Sequence, residues 1–303
     1  MALQPETSPM VQPLKGWAAL RAYLEMIKFE HSIFALPFAM IGMMWGSLSI
    51  SNSAWPGVKV FSLIVLAMVS CRSAAMAFNR IIDRDIDAIN PRTAMRAIPA
   101  GLLGLGQVQL FFYVSCGLFV LAAALLNPLA LALSPVALLV TLGYSATKRF
   151  TWLCHYVLGL SLGIAPAAAW IAVTGTLHPA ILPLVGAVML WTAGFDLIYA
   201  LQDDEFDRKQ GLHSFPSRFG RKTALLTSRL SHLGAIGLMG LGVYLVGAGP
   251  LAWVGVGFAA ALLCYEQSLV KPNDLSRVNL AFFTLNGFVS LGIFAFVLLD
   301  VLF

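Results

Sequence analysis

The sequence predicts an all-α integral membrane protein, nine transmembrane helices in a single bundle with the N-terminus on the cytoplasmic side. Three observations predict it. The 303 residues are 59% hydrophobic and only 11% charged, with a mean hydropathy of +0.83, whereas a soluble domain carries about 25% charged residues. Five stretches, 31–58, 97–147, 150–195, 230–265 and 278–299, contain no Asp, Glu, Lys or Arg. The charges between those stretches fall almost wholly on one side. This composition excludes a soluble globule, a disordered chain and a coiled coil. Four Cys without a CxxC pair exclude a disulfide framework and a thiolate metal site.

A spanning helix needs roughly 20 apolar residues. The stretches 31–58 and 278–299 hold one span each, and the other three are long enough for two. Each of those three has a turn signal near its middle: Asn127-Pro128, Thr174-Gly175 through His178-Pro179, and Gly247-Ala248-Gly249-Pro250. A further span from Val58 to Arg80 is interrupted by Arg72. The expected spans are 32–50, 58–80, 106–126, 129–147, 153–173, 180–200, 223–246, 250–266 and 279–302. Of 19 basic residues only Lys59 falls on the outer side, and of 14 acids only Asp300 does. The positive-inside rule makes the charged face cytoplasmic.

No cleavable leader is expected, because Lys15, Arg21 and Lys28 precede an apolar run without a small-residue cleavage pattern. Residues 1–15 are expected to be a disordered tail and 16–303 a single membrane domain. Trp17, Leu20, Leu24 and Ile27 form one stripe of a helix over 16–30. That helix either lies in the inner interface or is a plain cytoplasmic lead-in.

Two acidic clusters close spans 2 and 6. Asn79, Asp83 and Asp87 are four apart, and Asp196, Tyr199, Asp203 and Asp207 follow steps of three and four, so each set shares one helix face. Like charges at this spacing repel. A divalent cation removes the conflict, and hard oxygen ligands suit Mg²⁺, which commonly bridges carboxylates to phosphate oxygens. Two such columns facing each other would hold metal, with a diphosphate as shared ligand. A single column also reads as a solvated loop end. Asp83 and Asp203 are 120 residues apart, as are Asp87 and Asp207, which suggests a four-plus-four helix repeat followed by a ninth helix.

Basic residues border the clusters. Arg92 and Arg96, after the Asn90-Pro91 turn, would share a face if that stretch is helical, and with Lys148 they are placed to receive phosphate. Arg149, Arg218, Arg221 and Lys222 read as positive-inside anchors. Arg72, two turns inside span 2, needs a partner or a cavity. Asp196 is the expected partner, and a substrate carboxylate is the alternative. His31 lies near the inner surface, and no two His have metal-ligand spacing. Gly159 and Gly163 form a GxxxG pattern of the helix-packing kind, Pro166 is expected to kink span 5, and the Cys read as small apolar residues.

Taken together, Asn79…Asp83…Asp87, Asp203…Asp207, Tyr144-Ser-Ala-Thr-Lys148-Arg149 and Lys209…Gly211…Ser214…Pro216…Phe219-Gly220 resemble the UbiA superfamily of intramembrane prenyltransferases over essentially the whole chain. Arg80 departs from the pattern, since many relatives have Asp there. Lys28-Phe-Glu-His31 through Pro37, with Asn90-Pro-Arg-Thr, look most like the 4-hydroxybenzoate polyprenyltransferase branch, especially its futalosine-pathway menaquinone relatives.

The resemblance implies transfer of a polyprenyl group from an isoprenyl diphosphate to a hydroxylated aromatic acid, in the bacterial inner membrane with the site toward the cytoplasm. It implies Mg²⁺ on Asn79, Asp83, Asp87, Asp203 and Asp207. Arg92, Arg96, Lys148, Tyr144 and Lys209 would bind substrate, Arg72 and Asn79 the aromatic acid. Asp196 would orient or deprotonate the phenol, Tyr199 would align either substrate, and Asp83 and Asp203 would act in catalysis. The partners expected are a polyprenyl diphosphate, an aromatic acid and membrane lipid, with no nucleic acid. A lipid-open groove, with Met40, Met43, Met44 and Met76 among its candidates, would take the tail. The rivals are a transporter, which would favour ionisable groups at the midplane, and a CDP-alcohol phosphotransferase, whose DGxxAR-type motif is absent. The acceptor stays open: 4-hydroxybenzoate and a dihydroxynaphthoate each offer a carboxylate and a phenol, homogentisate, 1,4-dihydroxy-2-naphthoate and protohaem are acceptors elsewhere in the superfamily, and a UbiA-type enzyme with a non-quinone acceptor is the alternative within it.

Overall fold

The computed structural model describes residues 14, 16–27 and 34–303. Of the tail expected over 1–15 only Leu14 is described, its N–H donating to the Leu102 carbonyl at 3.0 Å; the expectations for residues 1–13, for Lys15 and for His31 lie outside the described residues. Twelve α-helices account for nearly all of what is described: α1 Gly16–Met26, α2 Leu36–Ile50, α3 Val58–Ile89, α4 Leu105–Leu126, α5 Pro128–Thr147, α6 Cys154–Thr174, α7 Leu182–Ala200, α8 Asp204–Lys209, α9 Phe215–Phe219, α10 Arg221–Leu245, α11 Pro250–Leu269 and α12 Asn286–Leu302. Among the described residues seven helical stretches are long and apolar enough to cross a membrane. The 15-residue α2 is shorter than the span expected at 32–50, and α11 ends in the polar run Glu266-Gln267-Ser268. The protein is a multi-pass, all-helical membrane protein.

Helix ends fall where the local chemistry puts them. Pro37 and Pro250 occupy first-turn positions, where a missing N–H costs nothing. Asn127 caps α5 by accepting from Ala130 N at 2.9 Å. Gly175, with φ +70°, ends α6 in the left-handed conformation. Asp300, the lone acid expected outside, accepts from the backbone N–H groups of Gly249 and Leu251 and so caps α11 from α12.

In lipid, apolar burial alone does not hold helices together, so close packing must. A Cβ on Gly42 would sit 2.1 Å from the Pro166 carbonyl oxygen, and one on Gly159 2.2 Å from that of Met189. These glycines let α2 approach α6 and α6 approach α7. The GxxxG pattern is thus an α6–α7 contact, and Gly163 meets Val185 on the same seam. Trp191, Phe38 and Ile41 fill the core between α2, α6, α7 and α10 to α12.

Three elements differ from the sequence expectation. On α1 the small residues Ala19 and Ala22 pack inward with Met26 and Ile27, while Trp17, 81% exposed, Leu20 and Leu24 face outward. Ile27 therefore leaves the expected stripe. Residues 91–104 form successive turns, so the condition under which Arg92 and Arg96 would share a helix face is not met, and Asn90 accepts from both Thr93 and Ala94 N–H groups. The last span opens with a π-helical segment, Leu280–Leu285, where Asn286 Nδ2 donates to the Ala281 and Phe282 carbonyls.

Candidate active site

The ends of α3, α5 and α7 converge on one cavity of about 1170 Å³. Its charged end carries Asp83, Asp87, Asp203 and Asp207 together with Arg92, Arg96, Lys148 and Arg149. Its other end runs between α3, α4, α5 and α6 to Leu126, Leu133 and Leu182 and is apolar.

α3 continues unbroken to Ile89, so Asn79, Asp83 and Asp87 keep their common helical face. α7 stops at Ala200, and a 3₁₀ turn Leu201–Asp203 leads into α8. Asp196, Tyr199, Asp203 and Asp207 nevertheless all line the cavity. The two acidic columns therefore face one space.

Each of the four carboxylates is held by a cation. Arg92 Nε donates to Asp203 Oδ1 at 2.8 Å, Nη2 donates to Oδ2, and Nη1 donates to Tyr199 OH at 3.0 Å. Burial is the largest influence on Arg92 and opposes its charge, but the Asp203 hydrogen bond together with the charges of Asp203, Tyr199 and Asp87 outweighs it, so its pKa is raised. Arg96 Nη1 donates to both oxygens of Asp87, at 2.7 and 2.8 Å. Arg149 Nη2 donates to Asp83 Oδ1 at 3.0 Å. Lys148 Nζ lies 2.7 Å from Asp207 Oδ1. That contact is an ion pair without good hydrogen-bond geometry, and both Asp207 oxygens are buried without a hydrogen bond.

The Asp196 carboxylate, deeper in the cavity, takes its hydrogen bond from His155, Nδ1 to Oδ2 at 2.6 Å, where the sequence pointed to Arg72. Arg72 itself lines the cavity, as does Tyr144. Asn79 Nδ2 donates to Asp83 Oδ2 at 2.8 Å, while its Oδ1 accepts from Arg80 Nη1 at 3.1 Å. The amide oxygen, the only atom of Asn79 able to bind a metal, is thus already engaged by the residue that departs from the family pattern. Lys209 is exposed at the end of α8 and is not among the cavity-lining residues. Met76 lines the cavity, whereas Met40, Met43 and Met44 are packed in the core.

Three site residues escaped sequence reasoning. Arg149 read as an anchor, although its neighbour Lys148 was already assigned to the site. Arg80 read only as a departure. His155 carried no spacing signal at all.

The donor set fits a hard divalent ion. Four carboxylates line one end of one cavity, and the Asp207 oxygens are buried without hydrogen bonds. Among the described residues no three acidic, His or Cys groups are gathered into a ready metal cage, because each carboxylate is turned to its own cation.

The UbiA prenyltransferase family model matches residues 35–291. The chain is 31% identical over 283 residues to a Vibrio cholerae 4-hydroxybenzoate octaprenyltransferase, covering 93% of this chain and 98% of that one. It is 32% identical over 289 residues to a Saccharophagus degradans protein of the same name, covering 95% of each. The apo structure of a UbiA homolog from Aeropyrum pernix superposes with a TM-score of 0.80 at 36% identity, over 89% of this chain and 98% of that one. The structure of a UbiA homolog from Archaeoglobus fulgidus bound to DMAPP and Mg²⁺ shares the fold, with a TM-score of 0.71 at 19% identity over 92% of this chain and 99% of that one. With matches over nearly its whole length, the chain belongs to the UbiA prenyltransferase family, as a 4-hydroxybenzoate prenyltransferase-like enzyme.

Proposed function

We propose that the protein transfers a polyprenyl group from an isoprenyl diphosphate to the ring of a hydroxylated aromatic acid, in ubiquinone or menaquinone biosynthesis. One observation carries the reading: four cation–carboxylate pairs close one end of a cavity whose far arm is apolar. Such a cavity suits a molecule with a polyanionic head and a long hydrocarbon tail. The relatives named 4-hydroxybenzoate octaprenyltransferase and the homolog bound to DMAPP and Mg²⁺ support it.

Asp83, Asp87, Asp203 and Asp207 would hold Mg²⁺. Bound there, the metal would neutralise charge on the diphosphate. The donors of Arg92, Arg96, Lys148 and Arg149, which now neutralise carboxylates, are those available to phosphate oxygens. In the reaction the bond from the allylic carbon to the diphosphate oxygen breaks, and the electron pair leaves with the diphosphate. The ring carbon beside the phenol oxygen attacks the allylic carbon, and loss of its proton restores the aromatic ring. Asp196 would accept the phenol's hydrogen bond and raise electron density on the ring. Arg72 would receive the acid's carboxylate. Tyr199, hydrogen-bonded to Arg92 and packed on Phe282 at 4.2 Å between ring centroids, would align the substrates. The apolar arm would take the prenyl tail.

The finer topology belongs to the same proposal: nine spans, the N-terminus and the active site facing the cytoplasm, and one domain over 16–303 in the inner membrane. The decisive experiment incubates purified protein with Mg²⁺, a polyprenyl diphosphate and a panel of aromatic acids, then weighs the products. The expected product is an acid heavier by one prenyl group. Intact substrates with every acid would overturn the assignment.

A further inference from the structure

His155, the second residue of α6, is 3% exposed and joins three helices. Its Nδ1 lies 2.6 Å from Asp196 Oδ2 on α7. Its Nε2 lies 3.2 Å from the backbone nitrogen of Phe215, the first residue of α9. A backbone N–H only donates, so Nε2 must present its lone pair. The ring proton is then on Nδ1, and Nδ1–H donates to Asp196. Both edges of the ring are committed, so the imidazole is held neutral, in one tautomer and one orientation.

The consequence falls on Asp196. The carboxylates of Asp83, Asp87, Asp203 and Asp207 are each held by a cation, whereas Asp196 is hydrogen-bonded by a neutral ring. Its Oδ2 is taken, and no hydrogen bond to Oδ1 is formed among the described residues. Asp196 lines the cavity roughly 10 Å along the chain axis from Asp203, away from the diphosphate end. A carboxylate there repels an anion and attracts a neutral O–H donor.

We infer that His155 is a positioning residue for the aromatic acceptor. It fixes Asp196 so that one oxygen is left for a ring hydroxyl, and it takes no proton itself because Nε2 is occupied. The acceptor is thereby oriented with its hydroxyl toward Asp196 and its own carboxylate away from it. This inference rests on the prenyl-transfer reading and adds the residue that discriminates a phenol from its ether.

The test measures calorimetric binding of 4-hydroxybenzoate and of 4-methoxybenzoate, its methyl ether, to the purified full-length protein and its variants, alongside product formation by the wild type. The wild type should bind the hydroxy acid about tenfold or more tightly than the ether, the worth of one hydrogen bond to a charged group. His155→Ala should remove most of that difference while leaving affinity for the ether and for the prenyl diphosphate within about twofold. His155→Gln, whose amide can donate to Asp196 and accept from Phe215, should restore it. In an Asp196→Asn background His155→Ala should have no further effect on discrimination. Equal weakening of both acids, loss of diphosphate binding, no rescue by Gln, or a wild type indifferent to the hydroxyl would each overturn the inference. A wild type that discriminates in this way yet prenylates no acid would overturn the prenyl-transfer reading and leave the role of His155 standing.

Discussion

Arg92 reaches from the turns that follow α3 to Asp203 at the foot of α7, Nε to Oδ1 at 2.8 Å, across 111 residues of sequence. The same guanidinium hydrogen-bonds Tyr199, so one side chain ties the loop after the first acidic column to two residues of the second. Removing it leaves Asp203, which is buried, without its cation. Arg92→Ala should lower kcat/KM for the prenyl diphosphate by about 10–100-fold, the range for a lost charge-assisted contact. The KM for the aromatic acid should stay within about twofold. Arg92→Lys should recover only part of the loss, because an ammonium cannot form the two-pronged contact. Initial rates with each substrate varied in turn check this, and an effect confined to the aromatic acid would count against the diphosphate role.

Metal dependence follows from the carboxylates. Chelation with EDTA should abolish turnover, and added Mg²⁺ should restore it. Asp83→Ala and Asp203→Ala should each reduce kcat by at least about 100-fold, while the protein still inserts and elutes as a folded species from a sizing column. Full activity in either variant would remove that residue from the metal set.

Lys148 and Asp207 make a different kind of pair. Asp207 is 0% exposed, and Lys148 Nζ is its cationic neighbour at 2.7 Å. Breaking a buried pair from one side costs about 3–5 kcal/mol, because the charge left behind is uncompensated. Lys148 is partly exposed, so Lys148→Met should fall at the low end of that range. The double variant Lys148→Met/Asp207→Asn should recover most of the lost stability, since no lone charge is then buried. Thermal unfolding in detergent measures both, and equal loss in the single and double variants would contradict the pairing.

Much of this site is legible in the amino-acid sequence alone, for a specific reason. Charge in lipid is so costly that it collects at helix ends, and steps of three and four fix which of those charges share a face. That is enough to bring Asp83, Asp87, Asp203 and Asp207 to one side of the membrane. It does not say which cation each will meet. Asp196 meets His155 on α6, where the sequence pointed to Arg72, and Asp83 meets Arg149, because those choices depend on how closely α6 and α5 pack against their neighbours. Arg92 and Arg96 would have shared a face only on a helix, and that condition is not met for a local reason: Asn90-Pro91 starts a chain of turns, which lets the two guanidinium groups diverge to separate carboxylates. The methionines show the limit of composition, since Met40 and Met76 are alike in type and only packing decides that one is core and the other lines the cavity.

The seam between α6 and α7 links packing to chemistry most directly. Gly159 lies one turn after His155 on α6, and Met189 lies two turns before Asp196 on α7. A methyl group on Gly159 would stand 2.2 Å from the Met189 carbonyl oxygen, and backbone cannot swing aside as a flexible side chain can. Gly159→Ala must therefore separate the helices locally, and the 2.6 Å hydrogen bond between His155 and Asp196 lies within reach of that displacement. Overpacking of this kind typically costs about 1–3 kcal/mol. Gly143 on α5 has nothing within 4 Å of its would-be Cβ, so Gly143→Ala should be neutral or stabilising by up to about 1 kcal/mol through helix propensity. Melting temperature and the KM for the aromatic acid, measured on both variants, separate the cases. Gly159→Ala should lower the first and raise the second, and Gly143→Ala should do neither. If Gly159→Ala melts lower but binds the acid unchanged, the α6–α7 seam supports the fold without setting the distance between His155 and Asp196.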